Sequence, residues 1–170
     1  MISKKMESAI NDQIAAEFYS AHIYLAMAAY LESIDLPGFA HWMRIQFQEE
    51  DFHAHKMFDY VIERDGRAEL KGFGAPPKEW TSPLDVFESA YKHEQKVTSL
   101  INNLVDIALS EKDHASFIFL QWFVNEQVEE EASAKAIIQQ LKMIGDSRAG
   151  LFQIDRELAQ RIFTPPVAAE

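Results

Sequence analysis

The 170-residue chain, with 48 % hydrophobic and 25 % charged side chains, is long enough to bury roughly 70 % of its unfolded surface, and a single domain over 1–170 is expected. Its net charge of −11 opposes nucleic acid and anionic membrane as partners and favours small cations. The lack of cysteine excludes disulfides, thiolate zinc sites and cysteine-ligated iron–sulfur clusters, so any metal must sit on oxygen and nitrogen. The opening residues pass directly into an amphipathic pattern, and the most apolar window, 117–124, is too short for a bilayer. A cytoplasmic chain is therefore expected.

The first helical stretch is predicted over 6–33, where Ile10, Ile14, Phe18, Ala21, Leu25, Ala28 and Leu31 make one stripe that Glu17 interrupts and Tyr24 shares. Residues 34–38 contain Pro37 and Gly38 and suit a tight antiparallel link. A second helix over 39–64 carries Phe39, Trp42, Met43, Phe47, Ala54, Met57, Tyr60 and Val61, interrupted by Glu50 and His53. Period is then lost across 65–81, which holds Gly66, Gly72, Gly74, Pro76 and Pro77. Seventeen extended residues reach roughly 55 Å, more than the roughly 42 Å of a 28-residue helix, so this stretch reads as a crossover that makes the third helix parallel to the second.

Ser82-Pro83-Leu84-Asp85 opens a third helix over 83–110 with a cap, a proline at the first turn and an acid. Its stripe is Leu84, Phe87, Tyr91, Val97, Ile101, Leu104 and Ala108, with Glu94 inside it. After a turn at 110–113, a fourth helix over 114–144 carries Leu120, Phe123, Val124, Ala134, Ile137, Ile138 and Leu141, with Gln127 and Glu130 on the same face. Glu131 falls on that stripe nearly as well as Glu130, and periodicity does not choose between them. Gly145 suits a helix end. A short fifth helix over 148–162, with Leu151, Ile154, Leu158 and Ile162, precedes Pro165-Pro166 and a loose tail.

The expected fold is all-α: a four-helix bundle of the ferritin-like kind, with a long crossover between helices 2 and 3 and a short C-terminal fifth helix. Each long helix puts one carboxylate on its buried stripe: Glu17, Glu50, Glu94 and Glu130. The Glu50-x-x-His53 pair alone is equally compatible with a solvated helix edge. Four such acids joined by a histidine are not, because burying them unpaired would exceed the roughly 5–15 kcal/mol that holds a domain together. Two Fe²⁺ ions would make the site formally neutral, and hard oxygen ligands favour the ferric state.

These residues, in this order, resemble the non-haem bacterial ferritins over essentially the whole chain. The likeness rests on Glu17 with Tyr24, on Glu49-Glu50-Asp51-Phe52-His53, on Glu94, and on the run from Asn125 to Glu131. It implies that Glu17 and His53 hold one iron, that Glu94 and Glu130 hold the other, and that Glu50 bridges them. Gln127 would lie beside the pair as a hydrogen-bonding group. Glu49, Glu126 and Glu129, sharing Glu130, would form a third iron site; a solvated acidic face is the lesser alternative for those three. Tyr24 would bond to a ligand or donate an electron.

The implied assembly is a shell of twenty-four subunits that oxidises Fe(II) with dioxygen or hydrogen peroxide and stores the ferric product. Bacterioferritins repeat Glu-x-x-His in the fourth helix and bind haem through a Met after the bridging acid. Here Gln127-x-x-Glu130 and Asp51 stand at those places, so no haem is expected. His22, His41, His55, His93 and His114 are read as surface or packing residues. The competing readings are a rubrerythrin-like or other di-iron oxidase or peroxidase, and a DNA-protecting mini-ferritin.

Overall fold

The computed structural model describes residues 1–165 and contains five helices among them: α1 (Lys4–Ser33), α2 (Pro37–Glu63), α3 (Pro83–Glu111), α4 (His114–Ile144) and α5 (Arg148–Leu158). The tail expected to be loose lies, from Pro166 onward, outside the described residues. Apolar side chains divide into two clusters, and the division reveals the topology. One cluster joins Ile23–Leu31 of α1, Phe39–Met43 of α2, Val86–Ala90 of α3 and Ile137–Leu141 of α4, and α5 adds Ile154 and Leu158. The other joins Met6–Ile14, Met57–Val61, Val97–Ala108 and Leu120–Phe123. Following each helix from one cluster to the other makes α1 antiparallel to α2, α2 parallel to α3 and α3 antiparallel to α4. The segment 64–82 must therefore return along the bundle.

That return is pinned to α1 along its length. The Asn11 side chain donates to Arg67 O at 2.9 Å and accepts from Glu69 N at 2.9 Å, and Lys71 pairs with Asp12 at 2.6 Å. Phe73 then meets His22 and Tyr19, and Trp80 meets Tyr30. Asn11 satisfies the backbone that the crossover leaves unpaired, which accounts for a buried amide on an otherwise apolar helix face.

The α5 end and the Leu25 position differ from the sequence expectation. The α5 helix stops at Leu158 rather than 162, and Ile162 is exposed, because the chain leaves the helix before its hydrophobic period completes another turn. Leu25 is also exposed, since Tyr24 takes the inward position one turn after Ala21. The turn after α3 lacks glycine, so Lys112 adopts the left-handed conformation at φ +56°. Asp113 then caps α4 by accepting from Ser116 N at 3.2 Å and pairs with Arg64 at 3.1 Å.

The start of α2 depends on α5. Leu36 precedes α2 and offers no capping side chain, so the Asp155 carboxylate accepts from Gly38 N at 2.7 Å and Phe39 N at 3.0 Å. This supplies from 117 residues away what an N-cap residue normally supplies locally. A Cβ on Gly38 would lie 1.7 Å from Asp155 O, so glycine is needed here for close approach of the two helices. Asp155→Ala should cost about 1 kcal/mol, as loss of a cap does. Gly38→Ala should cost more, because α5 must move away, and thermal unfolding of the two variants against the parent measures both.

Candidate metal centre

Between the two apolar clusters lies a polar layer to which every helix of the bundle contributes. Glu17 of α1, Glu50 and His53 of α2, Glu94 of α3 and Gln127 and Glu130 of α4 are all buried. Glu17, Glu50 and His53 each present a donor atom within 4.8 Å of the others. His53 Nδ1 stands 3.6 Å from Glu50 Oε2, one helical turn away. The ring is walled by Trp122 and Phe123 at centroid distances of 5.3 and 5.9 Å. Burial, aided by the nearby Lys56 charge, pulls the His53 pKa down to about 4, so near neutrality the imidazole is uncharged and carries a lone pair.

The other two acids are turned toward donors rather than toward that group. Glu94 accepts the Tyr24 hydroxyl on one oxygen and Gln127 Nε2 on the other at 3.0 Å. Glu130 accepts from Gln46 Nε2 at 2.6 Å, and Glu17 accepts from Gln13 Nε2 at 2.9 Å. The structure thus brings three of the five expected ligands into one tight group and holds Glu94 and Glu130 across the layer. One oxygen each of Glu17 and Glu50 is buried without any hydrogen-bond partner. Orphaned anionic oxygens beside a neutral imidazole are what a hard or borderline cation requires.

Without a cation, the layer resists ionisation. Burial raises Glu17, whose hydrogen bonds from Glu50 and Gln13 work the other way. Burial first, then the charges of Glu94, Glu17 and Glu130, hold Glu50 well above the usual carboxylate range. Glu94 is likewise held well above it by burial and then by Glu130, against the Tyr24 hydrogen bond. Glu130 is pushed up to about 7 by burial and then by Glu49. The Tyr24 phenol is raised by burial and by the facing carboxylates, so it stays protonated and able to donate.

The remaining expected residues form a looser group. Glu49 and Glu126 are half-buried and Glu129 is exposed. Glu49 is paired with Arg161 at 2.6 Å. Burial raises Glu126, and Glu129 adds to the shift; burial also raises Glu49, which Arg161 opposes. Glu131 lies outside the layer, half-buried, accepting from Thr98 Oγ1 at 2.6 Å at the edge of an α3–α4 cavity of about 340 Å³. The structure thereby chooses Glu130 as the inward acid. Among the histidines read as surface or packing, His93 is bonded to Ser20 at 2.7 Å and His41 to Arg161 O at 2.8 Å.

Sequence reasoning missed Gln13, Gln46 and Arg161. The two amides had a signal: each stands four residues before a layer acid, Glu17 or Glu50, on the same helix face. Arg161 had none, because it lies beyond α5 and reaches Glu49 across 112 positions.

A bundle whose helices each bring an acid to one buried layer has the arrangement on which the carboxylate metal sites of four-helix proteins are built. Comparison with known proteins is more particular. Residues 7–144 match the Ferritin family, described as a ferritin-like domain. The chain is 50 % identical over 161 residues to a bacterial non-heme ferritin of Bacteroides fragilis (strain 638R), covering 95 % of this chain and all of that one. It is 42 % identical over 163 residues to one from Staphylococcus haemolyticus, covering 96 % and 98 % of the two chains. The open pore ferritin of the hyperthermophilic archaeon Archaeoglobus fulgidus superimposes with a TM-score of 0.94 at 54 % identity, over 95 % of this chain and 100 % of that one. An engineered closed form of that ferritin gives 0.95 at 55 % identity, over 96 % of this chain and 100 % of that one. The chain belongs to the ferritin family.

Glu130 yields a pH signature. Its folded-state pKa lies above the ordinary carboxylate value, so its contribution to stability is complete below about 4.5 and is lost as pH rises through about 7. Glu130→Gln, which cannot ionise, should make the metal-free protein more stable than the parent at pH 8 by roughly 3 kcal/mol, with the gap closing below about pH 5. Denaturant unfolding at the two pH values measures it.

Proposed function

We propose that this chain is an iron-storage protein with ferroxidase activity, oxidising Fe(II) to Fe(III) within each subunit and keeping the ferric product inside a hollow shell. The observation that carries the reading is the buried layer of four acids and a neutral histidine, with orphaned oxygens on Glu17 and Glu50, in a member of the ferritin family. Iron is the substrate. Glu17 and His53 take the first ion, Glu94 and Glu130 the second, and Glu50 lies between them. Tyr24 and Gln127, both bonded to Glu94, orient that carboxylate and keep a donor beside the second ion. Glu49, Glu126 and Glu129, with Glu130 shared, make a third iron position next to the pair.

The chemistry follows from charge. Each arriving Fe(II) replaces protons that burial keeps on the acids, and four carboxylates then balance two divalent ions. Anionic oxygen ligands stabilise Fe(III) more than Fe(II), which makes the bound ions reducing. Two ions side by side give up two electrons together, enough to take dioxygen to peroxide or peroxide to water. Trp122 and Phe123, around His53, exclude bulk water from the first position. Haem has no part in this reading, since Asp51 follows Glu50.

The whole chain serves as one ferritin-like domain, twenty-four copies form the shell, and the protein works in the cytoplasm without nucleic acid or membrane. Among the described residues, no helix is long and apolar enough to cross a membrane. The likeness to the Archaeoglobus ferritin over nearly the full chain supports a ferritin-type assembly.

Adding Fe(II) in air and following ferric absorbance tests the activity. Glu50→Ala and His53→Ala should each slow the fast phase by tenfold or more, while both still elute on gel filtration near the mass of twenty-four 19.5 kDa protomers. A parent-like rate in Glu50→Ala would contradict the assignment.

A further inference from the structure

After α5 the chain does not leave the bundle; residues 159–163 run back along one face of α2. Arg161 O accepts from His41 at 2.8 Å, the Arg161 guanidinium lies 4.4 Å from the centre of the Trp42 ring, and Phe163 meets Phe52 edge-on at 6.1 Å. Trp42, Glu49 and Phe52 lie two turns and then one turn apart on α2, so the segment forms a strap over the helix at the level of the carboxylate layer. Through it Arg161 Nη2 reaches Glu49 Oε2 at 2.6 Å, with both side chains mostly buried. The Arg161 charge also acts on Glu130. Arg161 Nη1 is buried and has no hydrogen-bond partner.

A guanidinium placed against Glu49, and within reach of Glu130's field, occupies the electrostatic position that a third metal ion would take. Both are cations, and both need the Glu49 carboxylate. We propose that Arg161 is a resident competitor at the Glu49–Glu126–Glu129 position: a cation binds there only by displacing the guanidinium, and the strap keeps that position weak. The inference rests on the third position assigned above. A weak third position has a use in a storage protein, because an ion that reaches it is passed on rather than held. The orphaned Nη1 fits a contact made to be broken: the docked guanidinium satisfies only part of its donor fork, so leaving forfeits one strong ion pair rather than a full network.

Calorimetric titration of Zn²⁺, which has no redox chemistry, into the metal-free assembled full-length protein tests this. The parent should bind two ions tightly and a third weakly per subunit. R161Q should tighten the third roughly tenfold, leave the first at the parent value and strengthen the second by much less than the third, since Arg161 touches Glu49 but reaches Glu130 only through its field. R161K, which restores the charge, should return the third toward the parent value, a reversal that a purely structural role for the strap would not produce.

Hydrogen exchange on the unaltered protein gives a second measurement that needs no variant. Exchange in residues 159–163 should rise as the third equivalent binds and not during the first two. A third affinity in R161Q equal to or weaker than the parent's, or a strap equally protected at every stage, overturns the proposal. Two tight ions with no third in any variant also overturns it while leaving the paired site standing; fewer than two in the parent defeats both.

Discussion

The constraint on which the structure depends is the cost of placing four acids in one buried layer. Each helix of the bundle gives up a core position to a carboxylate, and the layer splits what would be one apolar core in two. Ionised together and unpaired, these groups would unfold the bundle. The protein accommodates them by keeping protons on several, by spending amides on others, and by leaving specific oxygens bare. Gln13, Gln46, Gln127 and Tyr24 each donate one hydrogen bond to a layer acid. Apolar packing above and below carries the stability that the layer itself cannot supply.

The division of labour within the layer follows from which oxygens have donors. The α1–α2 half pairs Glu17 and Glu50 with a neutral His53 and leaves two oxygens unmet. The α3–α4 half has no histidine, and its acids are each held by neighbouring donors. A cation meets the first half as a ready group and the second as one whose hydrogen bonds must be exchanged. The asymmetry of the fourth helix, with Gln127 where a second anionic or imidazole ligand would make the halves alike, is thus physical as well as sequential.

Much of this was legible in the residues. The periods of α1 to α4, the crossover and the inward acids follow from spacing, because a charged residue on an apolar stripe is conspicuous. What escaped the sequence was contact between distant segments and the choice between adjacent residues, about 100° apart in helical phase, at the margins of a broad stripe. Periodicity could not separate Glu130 from Glu131; the family resemblance selected Glu130, and packing against α3 gives the physical reason, by handing Glu131 to Thr98 at the rim. Gly38 read as a loop breaker, yet it is helical and small because Asp155 must come within bonding distance of its amide. Arg161 was invisible for the same reason: a single cation in a C-terminal stretch has no period, and its meaning comes entirely from the carboxylate that the fold carries to it.

The central claim is that burial keeps protons on the layer until a cation takes their place. Direct measurement of proton release, by titrating Zn²⁺ into weakly buffered metal-free protein at pH 7, tests it most simply. The account predicts that protons are set free as the paired site fills, and fewer of them at about pH 8.5, where Glu130 ionises ahead of the metal. Tight binding of two ions with no protons released at pH 7 would show that the acids were already charged, and would contradict it.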